Sequence, residues 1–204
     1  MKTLVNNLAF RHAYQGFFLL LMIAIPNITL GMTTLYNNQT GLTFTKLESW
    51  GVIAINLIIF YLTYLWAKSE GLMTRFRLDL KDAKAIIWGF LTIFLMGVIG
   101  SNLMLLTHTN YHAELQKTLT TTPILPVAIG MISAAFLQEI LFRKWIFTWL
   151  APYSKTAVLV STGLFCLFHM PTNLAYLTLY IGMGLALSMV YQKRENLSAS
   201  ITLH

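Results

Sequence analysis

The chain has 204 residues and a mass of 23.1 kDa, a length that fits one domain. Hydrophobic residues make up 56% and charged residues only 10%, with a mean hydropathy of +0.65, which predicts an integral membrane protein. This composition excludes disordered, collagen-like and coiled-coil chains, and a single cysteine, Cys166, excludes a disulfide scaffold. The net charge of +7 comes from basic residues between apolar segments, so we predict contact with a lipid bilayer and no nucleic-acid partner.

About 20 apolar residues cross the hydrocarbon core of a bilayer, and the N-terminal part contains three such stretches. They occupy residues 16–36, 50–66 and 85–107. The first is interpreted as an uncleaved helix, because no small-residue cleavage site follows it. Charged residues interleaved with apolar ones over residues 67–84 predict an interfacial helix, and residues 108–121 predict a polar loop.

The C-terminal part contains four more apolar segments, the first of which is a long helix over residues 123–149. Pro152 marks the following turn, and Pro171 ends the next helix, at 156–170. Helices at 174–191 and 196–204 complete the pattern.

The predicted fold class is an all-α, polytopic membrane bundle of about seven transmembrane helices, the last one truncated. We expect the last helix to continue beyond His204, because a carboxylate at membrane depth is costly. Residues 1–121 are predicted to form N-terminal transmembrane helices with a cytoplasmic interfacial segment. Residues 122–204 are predicted to form a second group of helices.

Lysine and arginine are unevenly distributed over the gaps between the predicted helices, and successive gaps lie on opposite sides of a bilayer. One side has only Lys46 and Lys117. The other side has the remaining basic residues: Lys2, Arg11, Lys68, Arg75, Arg77, Lys81, Lys84, Arg143, Lys144, Lys155, Lys193 and Arg194. Because positive charge accumulates on the cytoplasmic side, we predict a cell-membrane protein with a cytoplasmic N-terminus.

One acidic residue, Glu139, lies inside an apolar run, where an ionisable group costs about 2.5–3.5 kcal/mol on insertion and is a functional candidate by default. Arg143, four residues later, shares its helix face and could simply neutralise it. His169 and His204 also lie among apolar residues, and either could be a buried, hydrogen-bonded imidazole without function. All three helices, however, carry their polar group roughly 15–21 Å from turns on the same side, which predicts a shared intramembrane site.

Weaker features have structural interpretations. Cys166 lies one turn before His169 but is more typical of packing than of ligation. Gly184 and Ser188 form a pair of small residues at the spacing that lets helices approach closely.

Three segments together resemble a known family. Residues 138–143 read QEILFR, residues 165–169 read FCLFH and residues 196–204 read NLSASITLH. They resemble the CPBP family, the CAAX-protease and bacteriocin-processing intramembrane proteases also called Abi, whose motifs are E-E-x-x-x-R, F-x-x-x-H and H-x-x-x-N/D. The resemblance covers about residues 122–204.

The resemblance implies an all-helical enzyme that hydrolyses a peptide or protein substrate near the membrane. His169 would activate a water together with the acid of the first motif, Arg143 would brace that acid pair, and His204 would help bind the oxyanion. Gln138 stands where the family has its leading glutamate, and an amide cannot accept a proton. Either Glu139 serves as the base, or the chain has lost hydrolytic activity.

Two further functions stay open at this stage. A catalytically silent homologue would confer bacteriocin self-immunity or bind hydrophobic peptides, and Gln138 favours it. A small transporter or channel ranks last, because the sequence shows no internal repeat.

The cofactor is also open. Two histidines and a carboxylate could hold zinc in an open three-ligand site, and the family has often been labelled a metalloprotease. The same residues could work without a metal.

Overall fold

The computed structural model describes residues 2–40, 45–73, 76–106 and 123–204. In chain order its elements are α1 (Lys2–Thr40), α2 (Lys46–Ser69), α3 (Leu80–Leu106), α4 (Ile124–Glu139), a π-helical segment (Ile140–Trp145), α5 (Ile146–Trp149), α6 (Ser154–Phe168), α7 (Leu174–Arg194) and α8 (Leu197–Leu203). The described residues contain no strand, so the predicted all-α class is confirmed. The polar loop predicted at 108–121 lies outside the described residues.

Five of the described helical stretches are long and apolar enough to cross a membrane: Leu8–Ile28, Lys46–Ser69, Leu80–Leu106, Ile124–Trp149 and Leu174–Arg194. α6 is apolar but has 15 residues, and α8 has seven. The chain is therefore a multi-pass helical membrane protein. The first of these stretches, Leu8–Ile28, overlaps the predicted residues 16–36, and α1 runs through Pro26 without ending.

The interfacial helix predicted for residues 67–84 is wrong. After α2 the chain turns at Gly71, whose φ of +70° lies in the left-handed region that favours glycine. α3 starts only at Leu80, where Asp79 and Asp82 cap it reciprocally: each accepts a hydrogen bond from the other's backbone N–H, at 2.7 and 2.9 Å. The turn at Gly71 and the helix cap at Asp79 therefore determine the structure here, although the amphipathic pattern of residues 67–84 favours a helix.

The chain forms two compact units. Unit 1 comprises Met1–Glu70 and Asn110–Gln138, and unit 2 comprises Gly71–Thr109 and Glu139–His204. The two units are described separately below.

Unit 1 has polar contacts at two places. Glu70 accepts hydrogen bonds from Gln15 at 2.7 Å and Arg11 at 2.9 Å, and these bonds hold the pKa of Glu70 below its usual value. Ser133 of α4 donates to the Asn56 carboxamide of α2 at 2.9 Å, and both side chains are buried. The buried side chains of Ser133 and Asn56 thus satisfy one another, as an apolar environment requires.

In unit 2, α3 and α7 approach closely because glycines stand at their contacts. Gly182 of α7 lies against the side chain of Met96 in α3, and Gly100 of α3 lies against Leu179 of α7. Helices in membranes associate through small residues of this kind, since lipid tails provide no hydrophobic drive for association.

We expect Gly182→Ala to lower the free energy of unfolding by about 1–3 kcal/mol, because the added methyl group would overlap Cβ and Cγ of Met96. Gly163→Ala in α6 is the matched control, since its added Cβ would meet no other atom within 4 Å. It should leave stability unchanged or raise it by up to about 1 kcal/mol through helix propensity. Unfolding in mixed detergent micelles, followed by circular dichroism, measures both variants. Equal stability of the two variants would contradict the close approach of α3 and α7.

Candidate active site

A fully buried ion pair joins Glu139, the last residue of α4, to Arg143 in the π-helical segment. Nη1 of Arg143 lies 3.2 Å from Oε1 of Glu139, and both side chains have 0% exposure. Isolated, either charge would be strongly destabilising at this position, whereas together they neutralise one another. The pairing expected from the four-residue spacing is present.

Arg143 also contacts two further helices. Its Nη2 donates to the backbone carbonyl of Gly184 in α7 at 3.3 Å. Its guanidinium carbon lies 4.6 Å from the ring centre of Phe165 in α6, a distance at which the aromatic face attracts a cation. The arginine is therefore held by the π-helical segment, α6 and α7 at once.

Serine hydroxyl groups link α6 to the π-helical segment and α7 to α6. Ser161 of α6 donates to the carbonyl of Phe142 at 2.6 Å, and Ser188 of α7 donates to Ser161 at 3.1 Å. A Cβ on Gly184 would lie 3.3 Å from the backbone of Thr162. The predicted close helix contact at Gly184 and Ser188 is confirmed, and it brings α7 within reach of Arg143.

His204 follows α8 and contacts the same carboxylate oxygen of Glu139 as Arg143. Its Nδ1 is 2.8 Å from Oε1 of Glu139, and its side chain is 9% exposed. A carboxylate in an ion pair accepts hydrogen bonds, so Nδ1 is the donor and the lone pair of a neutral ring is on Nε2. Nδ1 of the imidazole is therefore held by Glu139, and Nε2 carries the lone pair that can accept a proton.

His169 caps the C-terminal end of α6 and is half-buried. Its Nδ1 is 2.8 Å from the carbonyl of Phe165, and its ring stacks on Tyr180 of α7 with centroids 4.5 Å apart. Because a carbonyl only accepts, Nδ1 is again the donor and Nε2 the acceptor. The next residue, Met170, has a φ of +44°, and the chain leaves the helix just before Pro171, as predicted.

Phe165 links the two histidines. Its ring centre lies 4.4 Å from the ring of His169 and 5.7 Å from the ring of His204. Among the described residues, Glu139 makes no hydrogen bond with His169. The structure thus brings Glu139, Arg143 and His204 into direct contact and joins His169 to them through an aromatic ring.

Gln138 is the last residue of unit 1 and directly precedes Glu139 in the helix. Its side chain is buried, and its carboxamide oxygen has no hydrogen-bond partner among the described residues. Oε2 of Glu139 likewise has none. Such buried polar atoms are uncommon in folded proteins and mark positions where a further polar group is needed.

The described residues do not fit a three-ligand zinc site. Within the described ranges, no group of three or more histidine, cysteine, aspartate or glutamate side chains is arranged to hold a metal. Glu139 and His204 are joined directly to each other, and His169 binds a backbone carbonyl through its Nδ1. Cys166 is a buried free thiol in the core, in line with its predicted packing role.

A polar cluster at the helix ends holds the start of α8, the helix that directly precedes His204. Arg194 of α7 contacts Asp82 at 2.6 Å and Asp79 at 2.9 Å, both at the start of α3. Asn196, whose side chain caps α8, also donates to Asp82 at 2.9 Å. Sequence reasoning missed this cluster, although the spacing of the two aspartates is the pattern of a reciprocal helix cap.

Comparisons with known proteins give a family match and a relative. Residues 120–204 match the family described as type II CAAX prenyl endopeptidase Rce1-like. The chain is also 27% identical over 200 residues to the UPF0177 protein YvdC of Lactococcus lactis subsp. lactis (strain IL1403), with 94% of this chain and 75% of that protein covered. No solved structure matches.

Proposed function

We propose that the chain is an intramembrane endopeptidase of the CAAX-protease type within the CPBP family, since its residues 120–204 match the Rce1-like family. The observation that carries the proposal is the contact of His204 with Glu139 at 2.8 Å, beside the buried Arg143. The substrate is a peptide or protein segment at the cell membrane. Residues 122–204 form the catalytic core, and the N-terminus is cytoplasmic.

His204 is the general base of the proposed reaction. Gln138 cannot accept a proton, and Oε1 of Glu139 is already bound by Arg143 and His204. Nε2 of His204 is free to accept, while the Glu139 carboxylate orients the ring and offsets the positive charge that the ring gains. His204, oriented by the Glu139–Arg143 ion pair, therefore takes the place of the glutamate that Gln138 replaces as the group that accepts a proton.

The proposed reaction takes two steps. Nε2 of His204 takes a proton from water while the water oxygen bonds to the scissile carbonyl carbon, which gives a tetrahedral oxyanion. The imidazolium then returns the proton to the leaving nitrogen as the carbon–nitrogen bond breaks. Nε2 of His169, when protonated, donates to the oxyanion, and Arg143 keeps Glu139 ionised throughout.

We expect the reconstituted protein to cleave a membrane-proximal peptide and Glu139→Gln to lower kcat/KM by about 10²–10⁴, since the imidazolium loses its counter-charge. Mass spectrometry of the products, with prenylated and unprenylated peptides, measures this. Glu48→Gln is the matched control, because Glu48 caps α2 through a contact that glutamine also makes. Equal cleavage by both variants would refute the role of Glu139.

A second candidate function is supported by Gln138. A chain without the leading glutamate would act as a silent homologue that binds a hydrophobic peptide, as in bacteriocin self-immunity. Gln138→Glu tests this, because it restores the carboxylate without changing side-chain length. Peptide binding without cleavage, both in the unaltered chain and in Gln138→Glu, would end the peptidase proposal in favour of the binder.

A further inference from the structure

A groove of about 490 Å³ lies between α3 and α7 in unit 2. Its walls are lined by Ala85, Gly89 and Thr92 on α3 and by Ala186 and Val190 on α7. The volume is in the range of sites that hold small molecules, and the walls are mostly apolar. Neither the peptidase nor the binder proposed above uses this groove.

One end of the groove is basic and aromatic. Lys193, in the last turn of α7, is exposed and lines it, and Trp88 on α3 is 70% exposed. Lys84, also exposed, lies four residues before Trp88 and therefore on the same face of α3, nearer the start of the helix. Tryptophan is typical of the level where lipid headgroups begin, and lysine of the charged layer above it.

The depth of the groove agrees with this orientation. α3 starts at Leu80 and α7 ends at Arg194, and these two helix ends are joined by the Arg194–Asp82 contact. From Ala85 to Thr92 the groove descends along α3 by roughly 10 Å. It thus leads from the helix ends into the part of the molecule that lies among lipid chains.

The charge at the mouth is available to a ligand. The nearby carboxylates of Asp79 and Asp82 are bound by Arg194. Among the described residues, neither Lys193 nor Lys84 forms an ion pair with a carboxylate. Lys193 at the mouth of the groove and Lys84 on the Trp88 face of α3 are therefore exposed ammonium groups without a bound counter-charge from the described part of the chain.

We propose that this groove binds an anionic phospholipid, with one acyl chain between α3 and α7 and the phosphate on Lys193 and Lys84. A basic mouth over an apolar channel is complementary to a molecule with a negative head and an alkyl tail. A phosphocholine lipid has the same tail but no net charge, so the lysines select for headgroup charge. The groove therefore prefers phosphatidylglycerol to phosphatidylcholine.

Quenching of Trp88 by lipids with brominated acyl chains tests this in the full chain. The protein is reconstituted in phosphatidylcholine vesicles to which brominated phosphatidylglycerol or brominated phosphatidylcholine is added. The Trp88→Phe variant is measured in parallel, so that the difference isolates Trp88 from the other tryptophans. We expect half-maximal quenching at a lower content of phosphatidylglycerol than of phosphatidylcholine.

Lys193→Gln should raise the content of phosphatidylglycerol needed for half-maximal quenching about fivefold and leave the phosphatidylcholine curve unchanged. Lys155→Gln, at the exposed start of α6, is the matched control and should change neither curve. Thr92→Phe, which fills the channel below the lysines, should abolish the preference.

Three results would overturn the proposal. Equal quenching by both lipids would show that bulk lipid alone fills the groove. An unchanged preference for phosphatidylglycerol in Lys193→Gln would show that Lys193 does not bind the lipid headgroup. Equal displacement of phosphatidylglycerol by an uncharged prenyl alcohol would assign the groove to the lipid tail of a substrate.

Discussion

Replacing Arg143 with leucine is expected to lower the free energy of unfolding by about 3–5 kcal/mol, the largest stability change we predict for this chain. The substitution leaves the Glu139 carboxylate fully buried without its counter-charge. It also removes the donor to the Gly184 carbonyl and the cation above the Phe165 ring. Lys144→Leu is the neighbouring control, and it should change stability by no more than about 0.5 kcal/mol.

The double variant Glu139→Leu/Arg143→Leu separates the burial of charge from a loss of packing. Two apolar side chains in an apolar site are often neutral or stabilising, so we expect the double variant to be more stable than Arg143→Leu alone. Equilibrium unfolding in mixed micelles measures the complete cycle of single and double variants. If Arg143→Leu is no less stable than Lys144→Leu, water reaches the pair and the low-dielectric site does not exist.

The second large effect concerns hydrolysis itself. His204→Ala is expected to lower kcat/KM by about 10²–10⁴, because the proposed general base is removed. Stability should change much less than in Arg143→Leu, since Glu139 keeps its ion pair with Arg143. Steady-state cleavage of the same membrane-proximal peptide measures this, and added imidazole should restore part of the rate.

A histidine outside the candidate site supplies the control for this experiment. His12 lies in α1 of unit 1, and His12→Ala should cleave at the rate of the unaltered chain. If His204→Ala also keeps that rate while His169→Ala loses it, the proton passes to His169 and the assignment of His204 as base is wrong.

Local signals in the sequence were sufficient for most of the fold. Apolar stretches of bilayer length predicted the long helices, and Pro152 and Pro171 predicted where two helices end, because proline cannot continue α-helical hydrogen bonding. The pairing of Glu139 with Arg143 followed from helix periodicity alone. These features depend on residues within a few positions of one another.

Features that depend on contacts between distant segments were not predictable. The π-helical segment after Glu139 is one of them, since no residue type signals it. The sequence placed both histidines at the depth of Glu139, yet only His204 contacts the carboxylate directly. Counting residues along a helix predicts how deep a side chain lies in the membrane. The direction in which it faces depends on how the helix packs against its neighbours, which the count does not give.

The cluster at Asp82 has a consequence for how the chain can be divided. The family match begins at residue 120, but the carboxylates that bind Arg194 and Asn196 lie some forty positions earlier, at the start of α3. α3 also supplies the surface against which Gly182 packs. A graft of the matched portion onto a foreign membrane protein would therefore need residues 71–106 as well, since α8, the seven-residue helix that directly precedes His204, is bound through Asn196 to a carboxylate outside that portion.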